Sequence, residues 1–234
     1  MCKLPDKVQP KNKEQLKQLI NYAFKHDIYD LNFIDTSEIT DMSKLFMGCA
    51  YDIDVSSWDV SNVTNMSQMF YFCTNFNCDL SGWDVSNVKN MCQIFYGCIR
   101  LNTDLSIWNV SNVTDMHALF YECNKFTGKG LEHWDVSAVT DMHYMFYKCK
   151  TFNCDLSNWD VSKVTNMDNM FSECKNFNCD LSNWDVSKVT NMDNMFDGCK
   201  KFNCDLSDWD ISNITLWKNM FDGCNKKTIP NWYK

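Results

Sequence analysis

Cysteine, aspartate, histidine and tyrosine recur in this chain at fixed spacing, and each brings a definite chemistry. Of fourteen cysteines, eight (Cys49, Cys73, Cys98, Cys123, Cys149, Cys174, Cys199 and Cys224) stand three residues after a phenylalanine. Cys78, Cys154, Cys179 and Cys204 form a partial second column inside Asn-Cys-Asp triplets, leaving only Cys2 and Cys92 outside the order. Pairs such as Cys174 and Cys179 have a C-x4-C spacing that zinc accepts. Free cysteine is also a small, readily buried hydrophobe, and regular stacking seldom offers the torsion a disulfide needs, so packing is the first expectation. Aspartates form two columns, Asp59, Asp84, Asp135, Asp160, Asp185 and Asp210 (with Asn109 substituting), and Asp54, Asp79, Asp104, Asp155, Asp180 and Asp205. Oxygen-rich turns bind calcium, but no glycine-rich calcium loop accompanies them, so each is expected to accept backbone amides of its own turn.

Two columns vary from unit to unit, counted from the preceding tryptophan. Trp+9 runs Ser67, Cys92, His117, His143, Asp168, Asp193, and places His117 and His143 on neighbouring units, near enough to share an ion. A straight column cannot wrap four ligands tetrahedrally around one ion, so an exposed variable face is expected, with no metal and no cofactor. Trp+13 runs Tyr71, Tyr96, Tyr121 and Tyr147, then changes to Ser172, Asp197 and Asp222. A row of partly exposed tyrosines suits recognition of a partner, alongside the plainer alternative of lateral packing. The candidate partner-binding residues are therefore Tyr71, Tyr96, Tyr121 and Tyr147 with His117 and His143, which puts contact in the N-terminal half. Catalytic residues are not expected: the chain has only seven glycines and no nucleophile elbow, phosphate-cradling loop or HExxH.

What must position these columns is a repeat. Trp58, Trp83, Trp108, Trp134, Trp159, Trp184 and Trp209 recur every 25 residues with one 26-residue step, which marks a stacked array. Positions Trp+2, +5, +8, +11, +12, +15 and +18 are near-uniformly apolar and should form the core. Met167, Met170, Phe171 and Cys174 fall at i, i+3, i+4 and i+7, which predicts about two helical turns. The Val-Thr-Asn-Met stretch before them reads as a short strand, and Asp-Leu-Ser-Asn-Trp-Asp-Val-Ser as a corner rich in turn formers. Such units stack into a right-handed parallel coil. Before the repeat, Leu16, Leu19, Ile20, Ala23 and Phe24 share one helical face suited to capping an open end. The organisation expected is a capping helix segment at 1–33, a repeat solenoid at 34–224 with a degenerate first unit at Ile34, and a tail at 225–234 where the pattern ends.

The string Leu-Ser-x-Trp-Asp-Val-Ser-x-Val-Thr-x-Met-x-x-Met-Phe-x-x-Cys-x-x-Phe-Asn resembles the repeat of BspA-like leucine-rich-repeat surface proteins, known from mycoplasma lipoproteins. The segments Lys13-Glu-Gln-Leu-Lys and Leu31-Asn-Phe-Ile-Asp-Thr-Ser-Glu-Ile-Thr-Asp-Met42 resemble that family's opening, so the similarity spans residues 11 to 224. It implies an α/β solenoid, a leucine-rich-repeat-like coil of about eight units with short parallel strands and short helical turns, and a role in surface contact or adhesion. It supplies no catalytic residues.

Charge narrows the partner. A net charge of −8 disfavours nucleic acid and anionic membrane surfaces, which need a positive field. No apolar run reaches the roughly 18 residues of a membrane span, and Met1 to Lys7 carry no apolar segment of a secretory signal. Neither does Cys2 look like a lipidation site. An intracellular, cytoplasmic monomer is expected, although the family is often surface-displayed. The leading expectation is a non-catalytic scaffold that binds a protein or glycan along an exposed ladder; the alternative is a structural or metal-binding rod built on the cysteine and aspartate columns.

Overall fold

The computed structural model of the protein describes residues 7–225 and 229–233. Its first element is helix α1, Lys13–Lys25. Asn12 starts it by accepting the Gln15 N–H at 3.0 Å, satisfying one of the donors left open at a helix N-terminus. Leu16, Ile20 and Ala23 bury the face expected from their spacing. Val8 pairs in parallel with Ile34, bringing the chain before α1 against the first unit. Cys2 and the rest of residues 1–6 lie outside the described residues, as do 226–228 and 234 of the tail.

Beyond α1 each unit bonds to its neighbours at the same points. In the unit of Trp159, Thr165 N–H donates back to Thr140 O at 2.9 Å. Met167, Asn169, Phe171 and Glu173 donate forward to Asn191, Asp193, Met195 and Asp197 at 2.9, 2.8, 3.0 and 2.6 Å. Equivalent single-residue parallel bridges run Asp41–Asn65–Asn90–Asp115–Asp141–Asn166–Asn191–Leu216.

The expected α/β coil of short strands and short helices is not formed, and the leucine-rich-repeat-like description falls with it. Among the described residues the units meet through isolated bridges and make no sheet. Apart from α1, the helical pieces there are three-residue 3-10 turns at Leu131–His133 and Asn231–Tyr233. Residues 167–174 run instead as chained β-turns: Met170 N–H donates to Met167 O, Ser172 to Asn169 and Cys174 to Phe171, at 3.1, 3.2 and 2.9 Å. Two physical causes exclude the helix. Asn169 and Glu173 sit at φ 55° and 62°, in the left-handed region that no α-helix admits, and every second N–H is already committed to the next unit. The strand is cut to one residue because Asn166 Oδ1 takes the Asp168 N–H at 3.2 Å, closing an Asx turn where Val-Thr-Asn-Met would continue.

Positive φ recurs at Trp+10 and Trp+14 along the array. At Trp+14 four units carry glycine (Gly48, Gly97, Gly198, Gly223), whereas Phe72, Glu122, Lys148 and Glu173 hold side chains there. A side chain in the left-handed region costs about 1–2 kcal/mol, part of which glycine gives back through its freer unfolded chain. Glu173→Gly is therefore expected to stabilise the protein by about 0.5–1 kcal/mol. Urea denaturation checks this, and a lower midpoint would count against the strain.

The core is a set of aromatic ladders. Phe146 stacks on Phe120 and Phe171 at 5.7 and 5.6 Å, and on Phe152 of its own unit at 4.1 Å. Each repeat tryptophan is buried and still satisfies its indole N–H: Trp159 Nε1 donates to Leu131 O at 2.8 Å and Trp184 Nε1 to Leu156 O at 3.0 Å. The tail continues this series, since Trp232 Nε1 donates to Leu206 O at 3.1 Å. The pattern expected to end at residue 225 thus extends by one further indole.

Candidate interaction face

The two aspartate columns are turn formers. Asp160 Oδ1 accepts Ser162 N–H and Asp155 Oδ1 accepts Ser157 N–H, each at 3.0 Å, and Asn109 holds the Ser111 N–H at 3.2 Å without a charge. The main cysteine column is core. Cys149 and Cys174 thiols donate to Phe120 O and Phe146 O at 2.9 and 2.8 Å, and burial drives the pKa of Cys98, Cys123, Cys174 and Cys199 well above the ordinary thiol range. The second column serves the corners: Cys179 Sγ accepts Leu156 N–H at 3.0 Å, as Thr103 Oγ1 accepts Leu80 N–H at 3.4 Å. The described cysteines are free thiols.

The variable columns meet on one face. Tyr71, Tyr96, Tyr121 and Tyr147 stack in sequence with ring centroids 4.6, 4.0 and 4.6 Å apart. All four are half-buried. The register that makes every position a column sets this spacing, so lateral packing and partial exposure coexist. Burial pushes the Tyr96 and Tyr121 phenols toward higher pKa, so they stay neutral. Phe72, exposed, packs edge-on against Tyr71 at 4.9 Å at one end. At the other end Lys148 lies 5.0 Å over the Tyr147 ring and pairs with Glu122 at 3.1 Å.

Beside the tyrosines, His117 and His143 stack at 4.7 Å with planes 7° apart. Each is fixed by the acid two residues earlier: His117 Nδ1 lies 2.7 Å from Asp115 Oδ1 and His143 Nδ1 2.6 Å from Asp141 Oδ1. The Asp141 hydrogen bond raises the His143 pKa against the effect of burial. Parallel rings direct their in-plane lone pairs side by side, so the two imidazoles do not converge on a shared ion. Tyr144, which the column reading missed, packs edge-on against His143 and Tyr147 at 5.7 and 5.5 Å. Its partial signal was its position, one residue after His143.

Four of the six candidate residues line one shallow depression of about 360 Å³: Tyr96, Tyr121, His117 and His143, together with Gln93, Ala118 and Tyr144. Tyr71 and Tyr147 extend the ladder beyond it. A larger groove of about 440 Å³ lies at Gly128, Cys154 and Asp155. Equivalent corner grooves recur at Cys179 with Asp180 and at Cys204 with Asp205, which makes them a property of the scaffold. Among the described residues the tyrosine–histidine face occurs once. Among the described residues no helix is long and apolar enough to cross a membrane.

Turn-built units stacked in register define a repeat protein. The chain belongs to the family described as Mycoplasma protein of unknown function, DUF285, which matches twice, over residues 14–131 and 117–232. No curated protein and no solved structure matches the chain.

Proposed function

We propose that the protein is a non-catalytic, monomeric interaction scaffold that captures a protein partner on the tyrosine–histidine face. The observation that carries this is the single stacked ladder Tyr71–Tyr96–Tyr121–Tyr147 flanking a depression built from the same columns. Stacked rings cover one another's faces and leave edges and hydroxyls for contact. Sugars pack on free aromatic faces, so a polypeptide surface suits this ladder better than a glycan. Aromatic residues flanked by an ion pair match the composition of protein contact sites. Kinship with the BspA-like surface proteins, and a role in adhesion, are part of the proposal and are supported by the shared Leu-Ser-x-Trp-Asp-Val-Ser sentence.

The double variant Tyr96→Ser, Tyr121→Ser tests it. Ser172 already occupies this column, so the coil accepts serine there. Partner capture from host lysate on the immobilised protein should fall at least tenfold while circular dichroism is unchanged. Equal capture by the variant would overturn the assignment of this face.

A further inference from the structure

We propose that Cys92, Asp115 and His117 form a three-ligand site for a borderline-soft divalent cation, with zinc the best fit. One ligand atom from each residue lies within 4.8 Å of the other two, in a half-buried setting. Thiolate, imidazole and carboxylate are the donor types zinc takes, at about 2.0–2.3 Å, and three protein ligands with one open position is a recurrent zinc arrangement. Donors around such an ion stand about 3.3–3.6 Å apart, so closure asks for roughly 1 Å of side-chain movement. At these residues the expectation of no metal rested on the Trp+9 column read by itself, which cannot surround an ion. The third donor comes from Trp+7, two residues before His117, and turns a line into a triangle.

Charge balance favours occupancy. A Cys92 thiolate and the Asp115 carboxylate together neutralise a divalent ion, so the site closes without net charge. Zinc takes the thiolate, so binding releases the Cys92 proton to solvent. His143 contributes no ligand to this set, because its ring runs parallel to that of His117 instead of converging with it.

The test uses the full chain, reduced and stripped of metal, titrated with Co²⁺ and then with Zn²⁺. One equivalent of Co²⁺ should produce a thiolate-to-cobalt charge-transfer band that Zn²⁺ abolishes. Cys92→Ser should remove the band, and His117→Ser and Asp115→Asn should each weaken binding at least tenfold, while His143→Ser leaves it intact. The fold tolerates these changes: Ser67 stands in the same column as Cys92 and His117, and Asn90 makes the same turn as Asp115 by accepting Cys92 N–H at 3.0 Å. Absence of the band in the parent protein, or its persistence in Cys92→Ser, would overturn the site, the latter by placing the metal on other cysteines.

Discussion

Replacing Phe146 with alanine is expected to destabilise the protein by about 3–5 kcal/mol and to split its unfolding into two transitions. Phe146 is fully buried and touches rings in four directions: Phe152 at 4.1 Å, Phe171 at 5.6 Å, Phe120 at 5.7 Å and Trp159 at 6.2 Å. Its backbone bond to Met170 O and the Cys174 thiol bond to its own carbonyl involve no side-chain atom of residue 146 and survive the change. The loss is thus of buried area and ring contact, with a cavity the tightly bonded units cannot collapse. In a stack each unit leans only on its neighbours, so weakening one interface uncouples the sides. Urea unfolding followed by hydrogen exchange should then show residues before and after 146 opening at different denaturant concentrations. A single transition with a loss below about 1 kcal/mol would mean that the phenylalanine ladder is not what couples the units.

The core was legible because tryptophan, phenylalanine, methionine and valine recur at fixed offsets, and each such column is buried. The local backbone was not, because chained β-turns and helices share an apolar spacing. Met167, Met170 and Cys174 begin or end overlapping four-residue turns, and that rhythm imitates i, i+3, i+7. The discriminating signal lay in the polar positions between them. Glycine at 48, 97, 198 and 223, and asparagine at 169, 194 and 219, are the residues that accept positive φ, and they fall inside the stretch whose apolar spacing predicts a helix.

Legibility of the candidate face divides in the same way. The tyrosine and histidine columns could be counted from the tryptophans, so Tyr96, Tyr121, His117 and His143 emerged together. Ring stacking followed from register. Tyr144 and Gln93 join them from Trp+10, a position whose left-handed backbone sends its side chain somewhere no helical projection would place it. Trp232 escaped for another reason: it bonds as a repeat tryptophan without the surrounding sentence that identifies one.

Stability is expected to be highest between about pH 5 and 6, to fall steeply below about pH 4 and to decline gently toward pH 8. The acid arm comes from the turn aspartates. Ser162 and Ser187, by hydroxyl and amide, lower the pKa of Asp160 and Asp185, and Ser157 and Ser182, by amide and hydroxyl, lower those of Asp155 and Asp180. A carboxyl depressed in the folded state contributes stability above its unfolded pKa and loses it as pH falls through the folded value. For Asp104, bonded by Lys129 and Ser106, that value is about 2. Asp168 and Asp197, raised mainly by burial, have the opposite sign and soften the fall without reversing it, being fewer. The alkaline arm comes from His143, raised by its bond to Asp141: its contribution is complete below the unfolded pKa of about 6.5 and is lost as pH climbs through the folded value. Asparagine separates charge from geometry, because Asn109 closes the same turn neutral. Asp160→Asn with Asp185→Asn should therefore lower the neutral-pH urea midpoint slightly, by the lost charge alone, and flatten the acid arm, and His143→Asn should flatten only the alkaline one. If the double aspartate variant loses stability with acid as steeply as the parent, these columns do not carry the acid transition.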